Sequence, residues 1–200
     1  MFDVLIVGGG VSGVSCALII GSALKRPYAE GKKVGIFTHQ KASSLQNGVY
    51  NNAYGIAPGT LGTTLMETNL EHLSIFPVEQ IPNEKVLNVE GTAGNFTVTT
   101  NKETYRAKIV VLALGSAGNF DFEGLMQYVI PNKKALPEKN RIQLVNDDHL
   151  VTEGLYVAGT IAGQRSQLAI SAGSGASVGT DILTLWNNGI PTQYHDSIPK

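Results

Sequence analysis

The sequence predicts an α/β fold in which a central parallel sheet carries helices on one face and a small antiparallel meander on the other. Residues 4–7 form a short apolar segment typical of a strand, and a glycine turn and a helical pattern follow it. Residues 109–114 are continuously apolar, as in a strand buried on both faces. Between these two strands, alternating segments at 85–90, 95–100 and 104–107, separated by turn residues, predict the meander.

The glycine turn has the GxGxxG spacing of dinucleotide-binding sites. Gly8 permits a tight turn, Gly10 lets a pyrophosphate approach the backbone, and Gly13 allows close packing of the helix on the strand. The helix begins at Val11 and Ser12, where free N–H groups favour a phosphate. Because the strand and the helix supply the required context, we interpret the turn as a nucleotide-cofactor site, with a purely structural turn as the alternative.

The composition indicates one compact globular domain. The 200 residues are 42% hydrophobic with a net charge of −1 and a pI near 6.4, which leaves no basic surplus for nucleic acid. No segment has the length of a membrane span or the pattern of a signal peptide, so we expect no membrane partner and a cytoplasmic location. Cys16 is the only cysteine, which excludes an intrachain disulfide, and its place in the first helix predicts a small buried residue rather than a nucleophile.

A second parallel strand is predicted at residues 33–37, ending at Phe37. Dinucleotide sites usually carry an acidic residue about 20 residues past the glycines, where it holds the ribose hydroxyls. Here Thr38 takes that position, so binding of the adenosine ribose should be weaker or rebuilt with water. A β-branched residue at a strand end also needs no functional explanation, and both interpretations stay open.

A long loop at residues 39–64 follows the second strand. Its Gly, Asn and Ser content is typical of a functional or a disordered segment, and Tyr50 and Tyr54 argue against disorder. The leucine spacing of residues 64–76 then predicts a helix that Pro77 closes.

Four segments, in the order GxGxxG, GTLGTTLM, NFTVTTNKETYRAKIVVLALG and HLVTEGLYVAGTIAG, resemble the FAD domain of thioredoxin-reductase-like members of the FAD-dependent pyridine nucleotide-disulfide oxidoreductase family. The resemblance covers residues 2 to about 186 and implies an FAD-binding Rossmann-like three-layer fold with FAD as the cofactor. The family has Ala-Thr-Gly in the strand beneath the cofactor, and this sequence has Ala113-Leu-Gly115. The family's later Ala-Gly-Asp is here an alanine followed by Gly159 and Thr160.

Thr160 stands where the family's aspartate accepts a hydrogen bond from a ribityl hydroxyl of FAD. A threonine could still bond there, but without charge assistance. Together with Thr38, it removes both carboxylates that usually hold FAD. We interpret the pair as lowered or altered affinity rather than lost binding, because the glycines and the helix ends remain. The alternative is a degenerate domain that no longer binds flavin.

The last helix is predicted to stop at Asn188-Gly189. The same resemblance implies a function for its other end. Its N-terminus, at Gln167, Leu168 and Ala169, is implied to point at the pyrimidine edge of the flavin and to stabilise negative charge there. Arg165 could add to this effect, or it could be a solvated or phosphate-contacting loop residue.

Two further residues match the family pattern. Asn52 corresponds to an asparagine near the reactive face of the flavin. Val86 corresponds to backbone that contacts adenine, although a strand valine needs no such role. Tyr54 could cover the flavin ring or serve as a core aromatic, and the core role is slightly favoured.

The family's NADPH domain and its redox CxxC have no counterpart in this sequence. Residues 116–141 offer 26 positions, fewer than a βαβ unit of about 30 residues, so direct transfer from a bound NADPH to a disulfide is excluded. The predicted organisation is a single FAD-binding domain at 1–190, with an N-terminal segment at 1–115, a short connector at 116–141, a C-terminal FAD segment at 142–190 and a tail at 191–200.

The remaining residues predict no separate catalytic site. The histidines lack metal-ligand or triad spacing and are expected at the surface: His39, His72, His149 and His195. We therefore expect an FAD flavoprotein that acts as an oxidoreductase or electron carrier with an external donor or a protein partner. The alternatives are a non-catalytic FAD- or nucleotide-binding module and one subunit of a split reductase. The resemblance also makes homodimerisation plausible.

Overall fold

The computed structural model describes residues 1–38, 44–116 and 120–192. His39, His195 and the end of the predicted tail lie outside the described residues. In chain order the elements are β1 (Phe2–Val7), α1 (Val11–Ala23), β2 (Val34–Phe37), β3 (Val49–Tyr50), β4 (Thr60–Leu61), α2 (Gly62–Leu73), β5 (Val78–Ile81), β6 (Val86–Thr92), β7 (Asn95–Thr100), β8 (Thr104–Leu112), β9 (Val129–Pro131), β10 (Ile142–Leu144), β11 (Leu150–Thr152), β12 (Leu155–Val157) and α3 (Leu168–Trp186).

The main sheet has β1 at its centre and the strand order β11-β12-β8-β1-β2-β5. β1 pairs in parallel with β2 and β8, and Val4 lies opposite Val34 and Ile109 in this register. β12 extends the parallel sheet on β8, and β5 extends it on β2. The antiparallel meander consists of β6, β7 and the first half of β8.

Alternation along β1 divides the core into two layers. Val4 and Ile6 pack with α1 and α3, whereas Leu5 and Val7 pack on the opposite face with the meander. Successive side chains of a strand point to opposite faces, so a strand that is apolar throughout must be covered on both sides. The predicted three-layer fold is confirmed.

Three elements differ from the sequence predictions. The third meander segment and the buried apolar strand form one continuous strand, β8, because no turn interrupts them at residue 108. β5 was not predicted, since its four residues carry only a weak alternating pattern, and it is held by parallel pairing with β2. The second helix covers residues 62–73 rather than 64–76, and the chain turns at Ser74 before entering β5.

The predicted end of the last helix is confirmed. Asn188 has φ 57° and Gly189 has φ 78°, and the Gly189 N–H donates to the Thr184 carbonyl at 2.9 Å. Such a left-handed pair stops a helix while satisfying its last carbonyls. Within the described ranges, no helix combines the length and apolarity needed to cross a bilayer.

The loop between β2 and α2 is described from residue 44 onward. It contains a 3-10 turn at Ser44–Asn47 and a two-residue hairpin of β3 and β4. Tyr54 is fully exposed, so the prediction of a core role for this ring is wrong. The ring therefore packs on none of its described neighbours, although nearby Ala53 and Ile56 are partly buried.

α1 and α3 cross at very short range. A Cβ added to Gly175 would lie 1.9 Å from the Ser12 carbonyl oxygen, and a Cβ on Gly179 would lie 2.9 Å from the Ile19 Cβ. The Ser15 hydroxyl also donates to the Ala172 carbonyl at 2.8 Å. Gly175 and Gly179 are therefore required by helix packing, since a side chain at either position would push the two helices apart.

We expect Gly175→Ala to destabilise the fold by about 1–3 kcal/mol, because the new methyl group would overlap the backbone of α1. Gly173→Ala is the matched control, since a Cβ there meets nothing within 4 Å, and it should raise stability by up to about 1 kcal/mol. Urea unfolding followed by circular dichroism measures both. Equal effects of the two substitutions would contradict the close crossing.

Candidate functional site

The carboxyl ends of β1, β8 and β12 meet the N-termini of α1 and α3 around one cavity of about 850 Å³. Parallel strands present their carboxyl ends at the same edge of a sheet, and ligands of open α/β folds bind there. The first turn of each helix contributes to the cavity wall. Two helix N-termini therefore direct their positive ends towards the same space.

The structure requires glycine at two of the three positions of the turn, and the physical reason differs between them. Gly8 has φ 120°, and a Cβ there would lie 2.5 Å from the Ala113 carbonyl oxygen. A Cβ on Gly13 would lie 1.8 Å from the Gly8 carbonyl oxygen. The fold itself requires both. Gly10 precedes α1 with φ −79°, which any residue adopts, so its backbone conformation does not require glycine.

The N-terminus of α1 is open to a ligand. Gly10 is the N-cap residue, no side chain caps the helix, and the first turn contains no acidic residue. The N–H groups at Val11 and Ser12 lie in this first turn, and both residues line the cavity. A helix end with this composition favours an anion such as a phosphate.

The turn after β12 is held in place by a buried hydrogen-bond chain. The Gly159 N–H donates to the Ser174 hydroxyl at 2.8 Å, and His149 Nε2 lies 2.9 Å from the same hydroxyl. Gly159 has φ 75°, and a Cβ there would lie 2.6 Å from the Ser12 Oγ. These hydrogen bonds fix the backbone that leads to Thr160, and Thr160 lines the cavity.

The prediction that His149 lies at the surface is wrong. The residue is 7% exposed, its φ is 74°, and its Nδ1 has no hydrogen-bond partner among the described residues. The exposed Asp148 carboxylate lies 3.6 Å from that nitrogen. A left-handed turn at Asp148 and His149 directs the ring inward, and the sequence carries no signal for this. The prediction holds for His72, which is exposed.

Cys16 is fully buried, and burial, followed by the charge of Asp181, raises the pKa of its thiol. A thiol of this kind is unreactive, as predicted from its place in α1. Burial also raises the pKa of the Tyr50 phenol, which lines the cavity. Among the described residues there is no cluster of three or more side chains suited to hold a metal ion.

More than half of the predicted site residues line the cavity: Gly8, Gly10, Val11, Ser12, Ala113, Gly115, Thr160, Gln167 and Leu168. The others do not: Gly13, Phe37, Thr38, Asn52, Val86, Gly159 and Ala169. Phe37 is buried edge-on against Tyr105, with ring centroids 5.3 Å apart. The Thr38 N–H continues the pairing of β2 with β5 by donating to the Ile81 carbonyl at 3.0 Å.

Sequence reasoning missed the contribution of the connector. Among the described residues, four charged side chains line the cavity, and all four are cations: Lys134, Lys139, Arg141 and Arg165. Three of them come from residues 132–141, where lysines and an arginine are dense enough in the sequence to have been a signal. Arg165 was predicted either to act on the flavin or to be a solvated or phosphate-contacting loop residue, and it is exposed at the cavity wall.

We expect Ser174→Ala to lower the free energy of unfolding by about 1–3 kcal/mol, because the Gly159 N–H and His149 Nε2 would both lose a buried partner. Ser22→Ala, which removes a hydroxyl bonded within α1, serves as the control and should change stability by less than about 0.5 kcal/mol. Denaturant titration measures the free energy of unfolding of both variants. An unchanged value for Ser174→Ala would show that the hydrogen bonds to this hydroxyl do not hold the turn after β12.

Comparison with known proteins agrees with this geometry. The profile of the pyridine nucleotide-disulphide oxidoreductase family matches residues 2–176. The ferredoxin–NADP reductase of Leuconostoc citreum is 26% identical over 157 residues, which cover 78% of this chain and 40% of that protein. The ferredoxin–NADP reductase of Limosilactobacillus reuteri is 28% identical over 123 residues, which cover 58% and 35%. The chain spans less than half the length of these two curated relatives.

Solved structures show the same fold at lower identity. An oxidoreductase from Agrobacterium tumefaciens superposes with a TM-score of 0.74 at 13% identity, covering 90% of this chain and 96% of that chain. A thioredoxin reductase from Gloeobacter violaceus has a TM-score of 0.73 at 16% identity, covering 97% and 99%. Because the family profile matches most of its length, the chain belongs to the pyridine nucleotide-disulphide oxidoreductase family, whose members are FAD-binding flavoproteins.

Proposed function

We propose that the chain holds FAD in the cavity at the glycine turn and works as a flavoprotein that exchanges electrons with an external donor or partner. The proposal rests on one observation. Two helix N-termini and four cationic side chains meet at one cavity, and no described residue of its lining carries a carboxylate. FAD carries a pyrophosphate dianion, and such an anion is stabilised by both features. A cavity of about 850 Å³ also lies within the size range of cofactor sites.

The residues of this cavity suit the different groups of FAD. The first turn of α1, at Val11 and Ser12, would hold the pyrophosphate through backbone N–H groups. Thr160 would hydrogen-bond the ribityl chain through a neutral hydroxyl. The N-terminus of α3, at Gln167 and Leu168, would face the pyrimidine edge and favour negative charge there. When bound, FAD supplies the electron-transfer chemistry, and the protein positions the cofactor and adjusts its potential.

The adenosine end of FAD is expected near Thr38, Asn52 and Val86 only through the family resemblance. These three residues do not line the 850 Å³ cavity, and residues 39–43 beside Thr38 lie outside the described ranges. With a threonine at the end of β2, the ribose would lack its usual carboxylate partner. We therefore propose that the pyrophosphate and flavin contacts contribute most of the affinity.

The electron donor is proposed to be a separate molecule. The connector of residues 116–141 provides too few residues for a nicotinamide-binding βαβ unit of about 30. Since the similar curated proteins are ferredoxin–NADP reductases, NADPH and reduced ferredoxin are the first donors to test. Transfer would proceed without an internal disulfide, because Cys16 is the only cysteine and is buried.

A second candidate function is a binding or regulatory module that holds FAD without turnover. Replacement of both usual carboxylates by Thr38 and Thr160 favours this candidate. Anaerobic mixing separates the two: the oxidoreductase loses its oxidised-flavin absorbance with NADPH or reduced ferredoxin, and reduced protein passes electrons to an added acceptor. The module keeps its oxidised flavin with both donors.

We expect the purified chain to bind FAD, and Gly10→Val to abolish binding while leaving the fold intact. The φ of −79° at Gly10 allows a valine, so the substitution tests the room for a ligand rather than the backbone. Equilibrium dialysis with visible absorption measures binding, and circular dichroism measures the fold. Gly173→Val, outside the cavity lining, should bind FAD normally. Failure of the unaltered chain to bind added FAD would contradict the proposed function.

We expect Thr160→Asp to tighten FAD binding roughly tenfold, because a charge-assisted hydrogen bond to a ribityl hydroxyl contributes about 1 kcal/mol or more beyond a neutral one. Thr152→Asp, on the exposed face of β11, adds the same charge elsewhere and should leave the Kd unchanged. Fluorescence titration gives both values. Equal affinities of Thr160→Asp and the unaltered chain would place the ribityl group away from residue 160.

A further inference from the structure

The connector folds into an organised wall of the cavity. β9 and β10 pair antiparallel, and the Asn132 N–H donates to the Arg141 carbonyl at 2.8 Å. The Ile142 N–H donates to the Ser116 carbonyl at 3.0 Å, which attaches this hairpin to the end of the β8 segment. The connector is thus a built element of the fold between β8 and β11.

The connector is also attached to the turn that carries Thr160. The Asn132 side-chain amide donates to the Thr160 carbonyl at 3.2 Å, and Lys134 Nζ lies 3.4 Å from the Gln164 side-chain oxygen. Buried Gln143 accepts the Lys133 N–H at 3.0 Å. These bonds hold the cationic residues of the connector at the wall of the large cavity.

A second cavity of about 470 Å³ opens on the connector. Its wall is mainly apolar and is formed by Val129, Ile130, Pro131, Leu136, Pro137 and Ile142. Leu136 is 57% exposed, although leucine side chains usually gain by burial. The two cavities share four lining residues, so the apolar wall and the cationic wall are continuous there: Asn132, Ala135, Leu136 and Arg141.

The cations at this junction are not neutralised by carboxylates in the part of the chain that the structure describes. Arg141, Lys139 and Lys134 form no salt bridge with any carboxylate among the described residues. Lys139 and Arg141 flank the left-handed residue Asn140, with φ 46°, at the end of the 3-10 turn Pro137–Lys139. A guanidinium with no ionic partner beside an apolar wall is suited to an anion attached to an apolar body.

We propose that the connector forms a second ligand site, for a small organic anion with an apolar or aromatic body, whose anionic group lies at Arg141 and Lys139 and whose body fills the 470 Å³ cavity. Inorganic phosphate would leave the apolar wall uncovered, and a neutral apolar molecule would leave the cations unpaired. The volume is that of a small-molecule site. Because the ligand would border the large cavity, a role for it in electron exchange rests on the proposed function, but its binding does not require FAD.

The test is calorimetric titration of the full chain with 2-naphthoate, in the presence and in the absence of saturating FAD. Two comparison compounds separate the contributions: 2-naphthylmethanol keeps the aromatic body without the charge, and acetate keeps the charge without the body. The variant Lys139→Gln/Arg141→Gln removes the cations. The control Lys102→Gln/Arg106→Gln makes the same change in net charge on exposed residues of the meander.

We expect saturable binding of 2-naphthoate by the unaltered chain and the control, and a Kd at least tenfold higher for the connector variant. Both comparison compounds should bind at least tenfold more weakly than 2-naphthoate. No saturable binding, equal affinity of the connector variant, or equal affinity for 2-naphthylmethanol would overturn the proposal. If FAD does not bind but 2-naphthoate binds in an Arg141-dependent manner, the proposed function fails and the connector site stands.

Discussion

The contact on which the site depends is the close crossing of α1 and α3, where Gly175 lies directly on the backbone of Ser12. A side chain at this position would separate the helices by more than the packing of a protein interior tolerates. Since both helices begin at the carboxyl edge of the parallel sheet, their crossing also determines where their N-termini point. As a result, the positive ends of both helices face one cavity. Gly175 thus accounts for the close packing of α1 on α3 and for the positive potential at the cavity.

Charge at this cavity comes from positions other than the two carboxylates common to related sites. Thr38 and Thr160 are neutral, whereas the connector and Arg165 contribute only cations to the described lining. Pyrophosphate binding benefits from such a field, and so does an added electron on a flavin. The neutral threonines and the cations act on different groups of the cofactor, because hydroxyl groups would meet the first and anionic groups the second. We therefore expect the phosphates and the flavin, rather than the ribose and ribityl hydroxyls, to contribute most of the affinity.

Local patterns predicted most of the fold but only some of the site. The glycine turn, the apolar strands and the Asn188-Gly189 helix stop depend on neighbouring residues, so the sequence alone was sufficient for them. β5 was missed because its four residues become a strand only by pairing with β2. The burial of His149 depends on a left-handed turn and on Ser174, which lies 25 residues away along the chain. Likewise, Arg141 reaches the cavity only because the connector is attached to the turn at Thr160.

A crystal structure of the chain grown with excess FAD would show whether the cofactor binds at the glycine turn. We expect the FAD pyrophosphate within about 3 Å of the N–H groups in the first turn of α1, and the flavin between Thr160 and the N-terminus of α3. A cavity that stays without FAD at saturating concentration, or a pyrophosphate bound away from Gly10 and Val11, would contradict this expectation.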